Sequence, residues 1–457
     1  MEVMNNDLHL LLTDTQQRAV RYLTSLDERP VAPSPNAVAA LSAFDVPLQH
    51  EPVDAREVIA ELDELGSPAT MAMAGPRFFG FVIGGTLPAP LAADWLTSAW
   101  DQNTGLYKST PATSHIEQVA LRWLIDLLQL PPTCAGAFVT GTTVAHITAL
   151  AAARHAVLEK VGWDVEANGL FGAPAVNVVV GAEAHPTLHK ALGVVGFGRT
   201  RVIRVPTDDQ GRMRTDALPS VDGPTIICAQ VGNVNTGACD DLAAICDWAE
   251  KHGAWVHVDG AFGLWARVAP SRAHLVAGLE RADSWSTDGH KWLNVPYDSG
   301  VAFVRDGDAL RAAMAVTAEY LPTQSPYRNP SDYTPELSRR ARGVGVWAAL
   351  RSLGRRGVEE LIEQNCRQAR DFASQLSAAG FEILNDVVLN QVLVSFGDPD
   401  RTRRVIAALQ DDGTMWAGET VWQKKTAMRI SVSCWATSDD DVLRSVAAIV
   451  RVAAATS

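Results

Sequence analysis

The residue types best suited to chemistry are gathered in one stretch, Ala254 to Asn294, AWVHVDGAFGLWARVAPSRAHLVAGLERADSWSTDGHKWLN. Ala254 to Val258 is too short for a stable helix and rich in β-branched and aromatic residues, which predicts a buried strand delivering Asp259 to its C-terminal end. A carboxylate at the mouth of a buried strand is costly unless it meets a cation. The Gly260-Ala261-Phe262-Gly263 that follows lets another group approach the backbone. Further on, His290-Lys291-Trp292 sets a lone lysine between an imidazole and an indole instead of on a charged face. A desolvated lysine has a lowered pKa and forms a Schiff base with a carbonyl cofactor, while a separate Asp can pair with a pyridinium nitrogen. Lys291 and Asp259 together fit pyridoxal phosphate. Taken singly, each also fits a surface lysine or a helix-capping aspartate.

Such a pair needs a scaffold. Ala137 to Val139, the Gly141-Thr142-Thr143 turn and an Ala-rich helix to about Lys160 would aim backbone N–H groups, hydroxyls and a helix dipole at one spot, which suits a phosphate or an ordinary cap. Val176 to Val180 is a second short strand, and His185, beside Pro186, is either the next helix cap or a site residue. Strands at Arg201 to Val205, Thr225 to Gln230 and around Val301-Phe303 continue the alternation with helical segments, the pattern of a mostly parallel sheet with helices on both faces. Ligands bind at strand C-termini in such sheets. Gly141 to Thr143, His185, the Gly232 to Gly237 turn and Asp259 all follow strands and would therefore converge.

The 457 residues, 47% of them hydrophobic, are enough for two or three lobes. A net charge of −13 argues against nucleic acid or an anionic membrane as partner and favours a small-molecule substrate. The six cysteines have no metal-ligand spacing, so they are read as reduced, buried thiols of a cytoplasmic protein. Neither a secretory signal nor an apolar run of roughly 20 residues is present, so a soluble protein is expected.

The organisation expected is an N-terminal helical arm (1–75), a large α/β domain (76–310), a loop (311–336), and a long helix with a small C-terminal α+β domain (337–457). In the arm, a helix from Asp7 to Asp27 is broken by Arg29 to Pro35, and a second follows near Ala55 to Leu65. Gly75 to Gly85 mixes aromatics with glycines and either lines a cavity or plugs a core. Phe78, Phe79, Phe81 and Trp100 accordingly suggest either an aromatic or apolar substrate or packing alone. Two helices flank Ser109 to Thr113. Glu319 to Glu336 is long, aperiodic and carries Tyr320, Tyr327 and Tyr333. A single helix is expected from about Leu337 to Gln375, then strands at Val392 to Phe396 and Met428 to Val432.

The segments His257-Val258-Asp259-Gly260-Ala261-Phe262 and Asp283-Ser284 through His290-Lys291-Trp292-Leu293 resemble the group II pyridoxal-phosphate decarboxylases, the family of aromatic amino acid, glutamate and 2,4-diaminobutyrate decarboxylases. The resemblance runs from about Gly75 to the end. It implies a fold-type-I architecture with a seven-stranded-type sheet, pyridoxal 5'-phosphate as cofactor, and decarboxylation of an L-amino acid through a Schiff base with Lys291. It also implies Lys291, His185, Asp259 and Tyr327 as catalytic residues, with Tyr333 second to Tyr327 as the loop proton donor. The cofactor set it implies is Gly141, Thr142, Thr143, His185, Asn235, Asp259, Ala261, His290 and Lys291, with His185 on the ring and Thr143 and His290 at the phosphate. Arg429 would approach the substrate carboxylate or make an interdomain salt bridge. The arm would wrap the partner of a homodimer, and the loop would close across the subunit boundary. The chain departs from the family at Val144, His146, Val234 and Asp288; a carboxylate at position 288 would repel a phosphate unless it points away. Aminotransfer and decarboxylation to an aldehyde are the rival outcomes, and a cofactor-less scaffold is disfavoured by the intact Asp259, His290 and Lys291.

Overall fold

The computed structural model describes residues 2–316 and 327–456. Seven short strands form its main sheet: β1 (Ala135–Val139), β2 (Asn177–Gly181), β3 (Ile203–Val205), β4 (Thr225–Gln230), β5 (Trp255–Asp259), β6 (Ser284–Asp288) and β7 (Gly300–Val304). Their order is β1-β7-β6-β5-β4-β2-β3. Strands β2 to β6 run parallel to one another, and β7 runs antiparallel to both β1 and β6. Since β1 and β6 both oppose β7, the C-terminal ends of β1, β2, β4, β5 and β6 share one edge of the sheet.

Every residue of β5, β6 and β7 is buried, as expected of strands covered on both faces. One cover is the Thr142–Glu159 helix, whose Ala145, Ala149, Ala152 and Ala153 are fully buried; small side chains let it lie close on the sheet. A second sheet, in the order β10-β11-β9-β8, comprises β8 (Glu382–Ile383), β9 (Gln391–Ser395), β10 (Gly418–Trp422) and β11 (Lys425–Ser431) and is antiparallel throughout. It packs with the Pro399–Asp412 and Asp439–Ala455 helices around Phe372, Val392, Ile430 and Ile449. The long helix expected from Leu337 begins at Gly343 instead and is broken at Gly354, where a φ of 62° takes the chain out of helical geometry.

At the N-terminus, the Glu2–Ser25 helix leaves Leu8, Leu10 and Leu12 exposed. The aromatic loop that follows the arm fills a core instead of a cavity. Phe78 stacks on Trp416 at 5.0 Å, and Phe79 meets Phe372 edge-on at 5.1 Å, both phenylalanines fully buried. Phe81 and Trp100 are exposed. The loop is tied down by Arg77, buried, whose Nη1 donates to Asp441 Oδ1 at 2.8 Å. The six cysteines are all buried and unpaired, and among the described residues no helix is long and apolar enough to cross a membrane.

Candidate active site

The shared edge of strand ends opens onto a cavity of about 340 Å³. Asp259, the last residue of β5, reaches it from a site that is 4% exposed. Its Oδ1 accepts from the Ala261 amide at 3.1 Å, and its Oδ2 lies 3.5 Å from His146 Nε2. Burial by itself would raise this carboxyl. His146, His185 and Lys291 more than offset it and hold Asp259 well below the usual carboxylate range. A buried, ionised carboxylate facing a cavity suits a cationic ring nitrogen.

Lys291 lies in the run of turns between β6 and β7, and its neighbours fix the backbone there. Trp292 is fully buried, with Nε1 donating to Asn365 Oδ1 at 3.0 Å. Asn294 Nδ2 donates to the carbonyls of Trp292 at 2.8 Å and Ser433 at 2.9 Å. With its backbone so held, Lys291 joins the cavity wall and places Nζ 3.1 Å from Asp288 Oδ2. Asp288 therefore does not point away from the site. Its Oδ1 accepts from the Thr142 amide at 2.6 Å and stands 3.5 Å from His290 Nε2.

Gly141 begins the Thr142–Glu159 helix without a side-chain cap of its own, and Asp288 takes the Thr142 amide from β6. The Thr142 hydroxyl is buried with no partner among the described residues, and Thr143 lines the same wall. The crossing is tight: a Cβ on Gly300 would stand 2.6 Å from the Gly141 carbonyl carbon. His290 receives the Ser299 amide on Nδ1 at 3.0 Å, which puts its proton on Nε2. Burial lowers its pKa, so it is a neutral donor. The orphaned Thr142 hydroxyl and the helix N-terminus suit the phosphate of pyridoxal phosphate, while the Asp288 carboxylate occupies part of that donor set, against the Thr142 amide and facing His290 Nε2.

His185 caps the Pro186–Val194 helix, with Nδ1 2.7 Å from Thr187 Oγ1 and 3.3 Å from the Thr187 amide, and it also lines the cavity. Burial lowers its pKa as well. Ala261 and Gly141 complete the expected residues found on the wall. Asn235 is not on it. Its Oδ1 accepts from Thr420 at 2.8 Å, and the turn presents Gly232 and Val234 to the cavity in its place. Period and composition do not say which side chains of an irregular turn point inward. Gln230, Thr187 and Phe262 are wall residues for which the sequence carried no signal.

Arg429, largely buried, donates to the Val234 carbonyl at 3.2 Å and has no carboxylate partner among the described residues. Burial lowers its pKa. Tyr327 stacks on Tyr107 at 4.1 Å, and the Tyr333 ring carries the Arg328 guanidinium at 4.1 Å; neither tyrosine lines the cavity. Tyr320 lies outside the described residues.

Residues 36–397 match the model of the pyridoxal-dependent decarboxylase conserved domain. The chain is 29% identical over 378 residues to tryptophan decarboxylase 1 of Oryza sativa subsp. japonica, covering 77% of this chain and 72% of that one. It is 29% identical over 318 residues to the aromatic-L-amino-acid decarboxylase of Bacillus atrophaeus, covering 66% and 64%. The crystal structure of Oryza sativa TDC with PLP and tryptamine superimposes with a TM-score of 0.90 at 24% identity, covering 98% of each chain, which shows a shared fold.

Proposed function

The chain belongs to the pyridoxal-dependent decarboxylase family, and from that premise we propose that Lys291 is the amine that carries the cofactor in the decarboxylation of an L-amino acid. The observation that carries this reading is the meeting of Lys291 Nζ with Asp288 in the same 340 Å³ cavity that holds the ionised Asp259. When bound, pyridoxal phosphate accepts the electron pair left at the α-carbon as carbon dioxide departs. Asp259 keeps the ring nitrogen protonated. Thr142, Thr143 and His290 would hold the phosphate, with Asp288 yielding the Thr142 amide to it, and His185 would cover the ring and exclude water.

Arg429 is the group for the substrate carboxylate, since its guanidinium lacks a carboxylate of its own and its carbonyl partner Val234 lines the cavity. Tyr327 is the proton donor to the α-carbon, acting in the cavity of a second copy. The exposed Leu8, Leu10 and Leu12, and an apolar groove of about 610 Å³ lined by Leu23, Leu26, Leu91 and Trp95, support a homodimer. Six buried free thiols support a reducing, cytoplasmic location.

The test is borohydride reduction followed by peptide mapping. The cofactor should be trapped on Lys291 and lost in Lys291→Ala; covalent retention in that variant sinks the assignment. Purified enzyme should release carbon dioxide and an amine from its amino acid. Formation of an aldehyde with ammonia would instead establish the rival outcome.

A further inference from the structure

Behind Asp259, on β5, β6 and the Thr142–Glu159 helix, runs a buried polar chain that the reading above does not use. His146 and His257, both fully buried, face each other with Nδ1 and Nε2 2.9 Å apart. His257 Nδ1 is 2.9 Å from Ser284 Oγ, and the Trp255 indole Nε1 donates to the same oxygen at 2.9 Å. Ser286 Oγ stands 3.2 Å from His146 Nδ1. Four of these residues, Trp255, His257, Ser284 and Ser286, lie on fully buried strands, where each polar proton needs an acceptor.

That requirement fixes the direction. An indole N–H only donates, so Ser284 Oγ accepts there. Among the described residues the remaining acceptor for the Ser284 hydroxyl proton is His257 Nδ1. His257 then carries its proton on Nε2 and donates it to His146 Nδ1, to which Ser286 can also donate. His146 is left with its proton on Nε2, the atom 3.5 Å from Asp259 Oδ2. The other end of the chain requires that same proton on His146 Nε2, because a carboxylate would be repelled by an imidazole lone pair. Burial pushes His257 down to about 3, so it passes on a tautomer and no charge.

We propose that Trp255, Ser284, His257 and His146 form a one-way hydrogen-bond relay that presents the His146 Nε2–H to Asp259 and so sets that carboxylate's hold on the cofactor's ring nitrogen. His146 is thus a positioning residue, and the inference rests on Asp259 being the ring-nitrogen partner. Sequence comparison marks position 146 only as a departure from a small polar residue; its partner is 111 residues away.

The test uses ¹⁵N NMR on two samples. In the wild-type apoenzyme, both His146 and His257 should show the Nε2–H tautomer, and an Nδ1–H form at either overturns the relay without any mutation. In holoenzyme loaded with ring-¹⁵N pyridoxal phosphate, the ring nitrogen should be protonated in wild type. It should shift toward the free-base position in Ser284→Ala, with kcat reduced and the substrate KM unchanged, and shift less in Ser284→Thr, which restores the hydroxyl. A Ser284→Ala ring resonance identical to wild type overturns the relay. Asp259→Asn separates the two readings: if it too leaves the ring nitrogen unchanged, the role of Asp259 fails; if it alone moves the resonance, only the relay fails.

Discussion

Gly84→Ala tests whether the aromatic loop holds the Lys291 turn in place. A Cβ on Gly84 would stand 2.6 Å from Asn294 Nδ2 and nearer still to the Lys291 carbonyl oxygen, whereas ordinary contact begins at 3.4 Å. About 0.8 Å must therefore be found at Asn294, and more at the Lys291 carbonyl. Asn294 cannot yield it cheaply: Nδ2 donates to Trp292 and Ser433, Oδ1 accepts from the Trp435 amide at 2.8 Å, and each lost bond costs about 1 kcal/mol. The turn carrying Lys291 is the part that moves. A displacement of roughly 1 Å at a reacting group costs on the order of 10²-fold in rate, and the overpacking costs about 1–3 kcal/mol in stability. kcat from carbon dioxide release, the fraction of borohydride-trapped cofactor and the urea midpoint would measure all three consequences. Gly345→Ala is the control, because a Cβ there meets nothing within 4 Å and should stabilise the helix by about 0.5–1 kcal/mol. Gly84→Ala enzyme with wild-type kcat and an unchanged midpoint would refute the reasoning.

Asp259→Asn should fold normally yet lose about 10²–10³-fold in turnover, as expected when a buried charge facing the reacting group is neutralised; unchanged turnover excludes the role. Arg77→Ala should cost about 3–5 kcal/mol in urea denaturation, because it strands the buried Asp441 carboxylate, and a loss below 1 kcal/mol contradicts that. Burial would raise the Asp441 carboxyl, but bonds from Ser438 and Arg77 hold it below its ordinary value. The stability this lends is present above about pH 4 and disappears as pH falls through the folded value. Asp441→Asn should accordingly lose less Tm on acidification from about pH 5 than wild type does; a parallel loss counts against it. Mixing Lys291→Ala with Tyr327→Phe protomers should restore about a quarter of wild-type sites by random pairing, since half the dimers are mixed and each has one intact site. No recovery in verified heterodimers would place Tyr327 in its own subunit or make it the wrong tyrosine, which Tyr333→Phe would separate.

The strands of the main sheet, the delivery of Asp259 at the end of β5 and the isolation of Lys291 between His290 and Trp292 were legible in the sequence, because short apolar runs, glycine turns and a lysine off any charged face are local patterns. Gly141, Thr142, Thr143 and His185 were legible for the same reason: each follows a strand, and a parallel sheet gathers its strand ends on one edge. What the local pattern lacks is side-chain direction and the identity of partners far along the chain. Tertiary structure alone turned Asn235 to Thr420, packed Phe78 on Trp416 in the cluster beneath the N-terminal arm, sank Phe79 into the C-terminal core against Phe372, and stacked Tyr327 on Tyr107. It alone pointed Asp288 at Lys291 and put His146 within 2.9 Å of His257. A strand ending fixes where a residue is delivered, but whether a buried polar group is satisfied depends on neighbours brought from other elements, and that is decided only when the sheet and its covering helices pack.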